Sequence, residues 1–407
     1  MSVALAVDLR RDVRVIGLVS LAHGLSHFYQ LVLPPLFPVL RDAFHVPFVA
    51  LGFVMSVFYC TSAIGQTVAG FLVDRWGARR VLLTGLVLIA SAPIVASFCT
   101  SYWMLIGVAL IAGLGNCVFH PADYALLNAA VSARRIGRAY AVHSVSGNLG
   151  WIAAAAVVVA LEHAFGWRTA LFALGLGGLV IAAALASQSD VITDHRALGG
   201  RVTAPVDTSL GADVRKLLTT PILMAFAYFA LLSMSLVGLQ TFGITAMMAI
   251  YGVPLALATS ALTAYLLGNG IGVLVGGVVA DRARRHDVVA AFGMALAVVT
   301  ALALASGLLP ALGLPVIMAA TGLAMGATQP SRDMIIRETA PRESSGKVFG
   351  FVYSGLDLGA TITPLAFGRF IDDGAPRAVF VASAILMALT ILTVVQVRRL
   401  VPARARA

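Results

Sequence analysis

The sequence predicts an all-α membrane protein, with twelve transmembrane helices in two six-helix bundles and both termini cytoplasmic. Three observations predict it. The 407 residues are 60% hydrophobic and only 11% charged, against roughly 25% charged in soluble domains. Long charge-free runs occupy 15–40, 43–73, 81–122, 139–161, 169–189, 217–280, 288–331 and 378–397. The second half also repeats landmarks of the first at a constant offset, pairing Gly113 with Gly322, Pro121 with Pro330, Gly137 with Gly346 and Gly150 with Gly359.

About 20 apolar residues cross the hydrocarbon core as a helix, so the shorter runs hold one span each and the longer ones two. Adding 348–368, interrupted only by Asp357, brings the total to twelve. Helices are required because backbone groups in lipid must bond within their own segment, and no period-two alternation suits a barrel. A repeat with an even number of spans returns the chain to the side where it began, which gives two units in the same orientation. These are 1–187 and 217–407. The polar segment between them, 188–216, contains Asp190, Asp194, Arg196, Gly199, Gly200 and Pro205 and reads as a cytoplasmic linker.

The formal net charge of +10 is topological. With the N-terminus inside, every Lys and Arg except Arg41, Arg168, Arg332, Arg369 and Arg377 falls in the termini or in loops on the cytoplasmic side, as the positive-inside rule requires. No nucleic-acid partner is implied. Cys60, Cys99 and Cys117 lie inside apolar runs at no paired spacing, which excludes a disulfide framework. The first run has an Arg-rich lead and no small-residue cleavage pattern, so it is expected to remain as the first span. No nucleotide loop, HExxH motif or GxSxG elbow is present, which argues against a membrane-embedded enzyme. A sensor is disfavoured because no soluble domain is attached.

Polar residues at membrane depth are costly and normally face a bundle interior. The first span carries His23, His27 and Gln30 at i, i+4 and i+7, hence on one face, and the fourth carries Asn116, His120 and Asp123 at the same spacing. His143 follows in the fifth. In the second half Gln240 lies in the seventh span, and Tyr265 and Asn269 lie one turn apart in the eighth. Gln329, Arg332 and Asp333 share a face of the tenth, and Tyr353, Asp357 and Thr361 share one of the eleventh. Three readings of the first-half stripes stay open: buried packing groups, a proton-coupling site at Asp123, or transition-metal ligands from His23, His27, Cys117, His120 and His143. Asp357 is the best-placed coupling carboxylate of the second half. Arg332 could instead attract an anionic substrate.

Two short basic turns interrupt the apolar runs. One runs Gly70-Phe-Leu-Val-Asp74-Arg75-Trp-Gly77-Ala-Arg79-Arg80, and a degenerate copy carries Asp281 and Arg282, with Arg284 where Gly77 would pair. The first turn resembles the signature of the major facilitator superfamily at nearly every position, and the duplicated twelve-span pattern extends the resemblance over the whole chain. Phe119-His120-Pro121 and the following span look like the fosmidomycin-resistance branch.

The resemblance implies alternating access around a cavity lined by the first, fourth, seventh and tenth spans. It also implies that Asp74 meets the positive N-terminal end of the eleventh span near Gly346 and Lys347. The implied activity is proton-coupled export of a small organic compound across a bacterial plasma membrane, with the proton gradient as energy source and no cofactor. Its partners would be the substrate, protons and the lipid bilayer, and it would act as a monomer. Uptake of an organic anion or transport of a transition metal is the alternative, with a membrane-embedded enzyme or sensor more remote.

Overall fold

The computed structural model describes residues 2–132, 135–188, 191–192, 219–283, 285–339 and 345–400. The side chains of 2–8, Thr67, Asp74, Asp281, 333–351, Tyr353, Val395 and 397–400 lie outside the description. The described residues are helical, without strands. Helix α1 (Ser2–Gln30) stops before a 3-10 turn at Pro34–Leu36, where the Pro34-Pro35 pair removes two backbone donors. Helix α2 (Phe37–Phe44) ends at His45 in the left-handed region. Helices α3 (Phe48–Trp76) and α4 (Ala78–Ser97) are joined by Gly77 alone, at φ 90° and ψ 141°. That conformation is nearly closed to other residues, which gives this glycine of the signature turn a physical reason. Gly70 of the same turn has open space where a Cβ would stand.

The fourth predicted span is two helices, α5 (Tyr102–Asn116) and α6 (Phe119–Ala130), broken at Cys117 and Val118 just before Pro121. Helix α7 (Ile136–Ser187) runs 52 residues but departs from helical geometry at Gly166, φ 76° and ψ 157°. A straight helix of that length would reach about 78 Å at 1.5 Å per residue, more than twice a hydrocarbon core. Beyond it come α8 (Thr220–Tyr251), α9 (Leu255–Arg282), α10 (His286–Ser306), α11 (Leu314–Thr339), α12 (Ser345–Asp372) and α13 (Arg377–Leu400).

Among the described residues ten segments are long and apolar enough to cross a membrane, against twelve expected. The segment Ile136–Ser187 counts once although Gly166 divides it, and α12, whose side chains are described only in part, is not among the ten.

The chain forms two compact units. The first comprises residues 1–46 and 57–204, and the second 47–56 and 205–407. In the first, α1 and α4 pack on α7 through small residues: a Cβ on Gly150 would strike the Gly24 carbonyl, and one on Gly24 would stand 3.0 Å from the Ser146 carbonyl. Glycine allows this approach where no hydrophobic drive exists between helices in lipid. In the second unit, α9 and α11 interlock in the same way. Gly268, Gly272 and Gly276 lie on the carbonyls of Ala319, Leu323 and Ala327, while Gly322 and Gly326 lie on those of Tyr265 and Asn269. The Asp372 carboxylate accepts the backbone N–H groups of Phe48 at 2.8 Å and Val49 at 2.7 Å, satisfying the first turn of α3.

Candidate functional site

The first unit gathers its polar residues around Asp123. This α6 side chain is fully buried, and its Oδ2 lies 3.1 Å from Nδ1 of His23 on α1 and 3.0 Å from Nε2 of His143 on α7. The two imidazoles stack, with centroids 3.6 Å apart and planes tilted by 24°, which is how both reach one oxygen. With the carboxylate ionised, each ring donates its N–H to Oδ2. That assignment leaves His23 Nε2 and His143 Nδ1 as bases.

His27 and His120 complete the group, their ring centroids 4.5 and 5.3 Å from that of His23. Asp123 Oδ1 and His27 Nδ1 are buried without a hydrogen-bond partner among the described residues. A buried polar atom left in that state costs about 1–3 kcal/mol, so the cluster has unused capacity for a proton, a cation or a polar ligand.

A second layer adjoins it. Trp151 Nε1 donates to Gln30 Oε1 at 3.2 Å, Gln30 Nε2 to Asn116 Oδ1 at 3.1 Å, and Asn116 Nδ2 to Ser62 Oγ at 2.7 Å. The Trp151 ring also lies 4.4 Å from that of His27. The structure therefore brings together His23, His27, Gln30, Asn116, His120, Asp123 and His143. It adds Ser62, Tyr124, whose ring is 5.3 Å from that of His143, and Trp151, none of which was expected. A signal for Trp151 was available, since His143, Gly147 and Trp151 stand at i, i+4 and i+8 on one face of α7.

Cys117 does not join this group. Its thiol donates to the Leu114 carbonyl at 3.1 Å and lines an apolar cavity of about 830 Å³ with Gly65, Thr84 and Trp76. Nearer the start of α1, buried Asp12 accepts Ser132 Oγ at 2.6 Å and Arg135 Nη1 at 2.7 Å. Arg135, read from the sequence as a topological charge, thus also ties the start of α7 to α1.

The polar residues of the second unit are more dispersed. Gln329 Nε2 reaches Asn269 Oδ1 at 3.4 Å, and the buried Gln240 Nε2 has no hydrogen-bond partner among the described residues. Tyr265 is fully buried and donates to Met325 Sδ at 3.4 Å. The Arg332 guanidinium lies 4.8 Å over the Phe229 ring. Asp357 is half-buried, and its backbone carbonyl accepts the Thr361 hydroxyl at 2.8 Å. The side chains of Asp333 and Tyr353 are outside the description, as are those of Asp74, Asp281 and Lys347, on which the expected cytoplasmic contact rests. In the signature turns Arg75, Arg80 and Arg282 are exposed and Arg79 is half-buried.

Comparison with known proteins places this geometry in a family. The Major Facilitator Superfamily model matches residues 19–259 and 230–407. The fosmidomycin resistance protein of Escherichia coli (strain K12) is 25% identical over 285 residues, covering 69% of this chain and 68% of that protein. YfnC of Bacillus subtilis (strain 168), an uncharacterized MFS-type transporter, is 24% identical over 388 residues, covering 93% and 91%. Among solved structures, a bacterial homolog of the human lysosomal transporter Spinster, in an inward-facing and occupied conformation, has a TM-score of 0.76 at 13% identity over 97% of this chain and 98% of that one. The nucleoside transporter NupG has a TM-score of 0.72 at 16% identity over 96% and 99%. The chain belongs to the major facilitator superfamily, as a multi-pass membrane transporter of a small substrate and not an enzyme.

Proposed function

We propose that this transporter is proton-coupled and exports a small organic compound from the cytoplasm of a bacterium, and that Asp123 with His23 and His143 is its coupling site. The observation that carries the reading is a fully buried carboxylate oxygen shared by two imidazoles from different helices. Such a cluster can take up or release one proton with little rearrangement. Its hydrogen bonds tie α6 to α1 and α7, so a change of protonation changes how these helices hold together.

The full topology belongs to the same proposal: twelve spans, counting α7 as two about Gly166 and adding α12, with both termini cytoplasmic and one bundle rocking against the other. Export is supported by the relative named for fosmidomycin resistance.

The test uses a host stripped of its own efflux pumps and challenged with fosmidomycin and a panel of antibacterial compounds. The wild-type chain is expected to raise resistance to at least one compound. Asp123→Asn and a protonophore should each abolish that gain at equal membrane expression. Resistance that survives both overturns proton coupling at Asp123, and no resistance to any compound overturns export.

A further inference from the structure

We propose that His23, Asp123 and His143 form a binding site for a first-row divalent transition-metal ion of the Zn²⁺ type. Their ligand atoms lie within 4.8 Å of one another, and all three residues are buried. Zn²⁺ takes His nitrogen at about 2.0–2.1 Å and carboxylate oxygen at about 2.0–2.2 Å, so tetrahedral donors stand roughly 3.3 Å apart. The N···O separations of 3.1 and 3.0 Å come within a few tenths of that spacing. Metal entry requires the two imidazoles to turn out of their stack, where the planes are tilted by 24°, so that both nitrogens face one point.

Two further observations point to a ligand. Asp123 Oδ1 and His27 Nδ1 are buried with unsatisfied bonding capacity, and His27 and His120 stand beside His23 as candidates for a fourth position. Imidazole with carboxylate suits Zn²⁺, Co²⁺ or Ni²⁺, whereas Ca²⁺ and Mg²⁺ prefer all-oxygen sets. Cys117 stands apart from this set, lining the apolar cavity with Gly65 and Thr84.

The protons balance. In the metal-free site the donor nitrogens carry the hydrogens that bond Oδ2. On metal binding each neutral ring moves its proton to its other nitrogen, Nε2 of His23 and Nδ1 of His143, and no oxidation state changes.

This inference does not rest on proton coupling, because its readout needs no transported compound. Purified full-length protein in lipid nanodiscs is titrated with Co²⁺. One equivalent is expected to give a saturable visible band of tetrahedral type, displaced by Zn²⁺. His143→Gln and Asp123→Asn are each expected to weaken Co²⁺ binding at least about tenfold, the least that even an outer-shell change costs. His163→Ala, an exposed histidine of α7, should leave it unchanged. The absence of a saturable band, or equal affinity in the ligand variants, overturns the proposal. X-ray absorption of the wild-type Zn²⁺ complex avoids any folding defect of the variants. A shell with at least two imidazoles and no sulfur supports the site, and a sulfur-containing or all-water shell overturns it.

Discussion

A Cβ placed on Gly147 would stand 2.8 Å from Cε1 of His27 and 3.1 Å from Nε2 of His23, so the absent side chain is what lets these two imidazoles lie against α7. Gly→Ala inside a helix ordinarily stabilises by roughly 1 kcal/mol. Here the methyl would displace both rings, and overpacking of that kind costs about 1–3 kcal/mol. Gly147→Ala is therefore expected to lower the thermal midpoint of the purified protein and to remove the resistance phenotype. A higher midpoint with full resistance would show that the rings have slack.

Trp151 makes two separable contributions, an indole N–H to Gln30 and a ring face near His27. Trp151→Phe removes only the first, at about 0.5–1.5 kcal/mol for one hydrogen bond. Trp151→Ala removes both and should cost more. Thermal unfolding of the two variants in nanodiscs checks the order, and equal losses would assign the whole effect to the indole N–H hydrogen bond.

Asp12 is a buried carboxylate with a charged partner, Arg135, and a hydroxyl partner, Ser132. Asp12→Asn keeps the shape and loses the charge-assisted bond, worth about 1.5–3 kcal/mol. A double-mutant cycle with Arg135→Gln should return a favourable coupling energy. Additive effects would mean that the pair is only a neighbourly contact.

Arg168, expected from the sequence only as an outward-facing charge, donates to the carbonyls of Ser97 at 2.7 Å and Cys99 at 2.9 Å, at and just past the last residue of α4. Burial pushes the neighbouring Cys99 thiol above its ordinary range, with the Arg168 charge opposing the shift. In a Cys60→Ser, Cys117→Ser background, maleimide labelling of Cys99 should be slow near neutral pH. It should still accelerate as the pH passes the ordinary thiol value, because the thiolate forms late. A plateau at that value would refute the shift.

What the sequence revealed and what it hid have physical causes. The bilayer demands long apolar runs, and helical period fixes which residues share a face, so the faces of His23 with His27 and of Asn116 with His120 and Asp123 were legible. Gly77 was legible as a turn residue from its motif, and its positive φ supplies the reason. The partners of Asp123 were not, since His23 is 100 residues away and His143 is 20 away. Their meeting depends on how closely Gly24, Gly147 and Gly150 let α1 approach α7. Cys117 was grouped with the histidines by chemical type, but a helical thiol can satisfy itself on the carbonyl three residues back.

The reciprocal glycine contacts of α9 and α11 carry a mechanical consequence. Two rods meshed backbone to backbone at five successive points have no play, so a joint of this kind transmits displacement and cannot act as a hinge. Asn269 rides on those rods, and Gln329, just past the last meshed contact, reaches it at 3.4 Å. Places where the backbone gives up its regular bonding lie elsewhere: at Cys117 and Gly166 in the first unit, and at Pro330 in α11 beyond the last of these contacts.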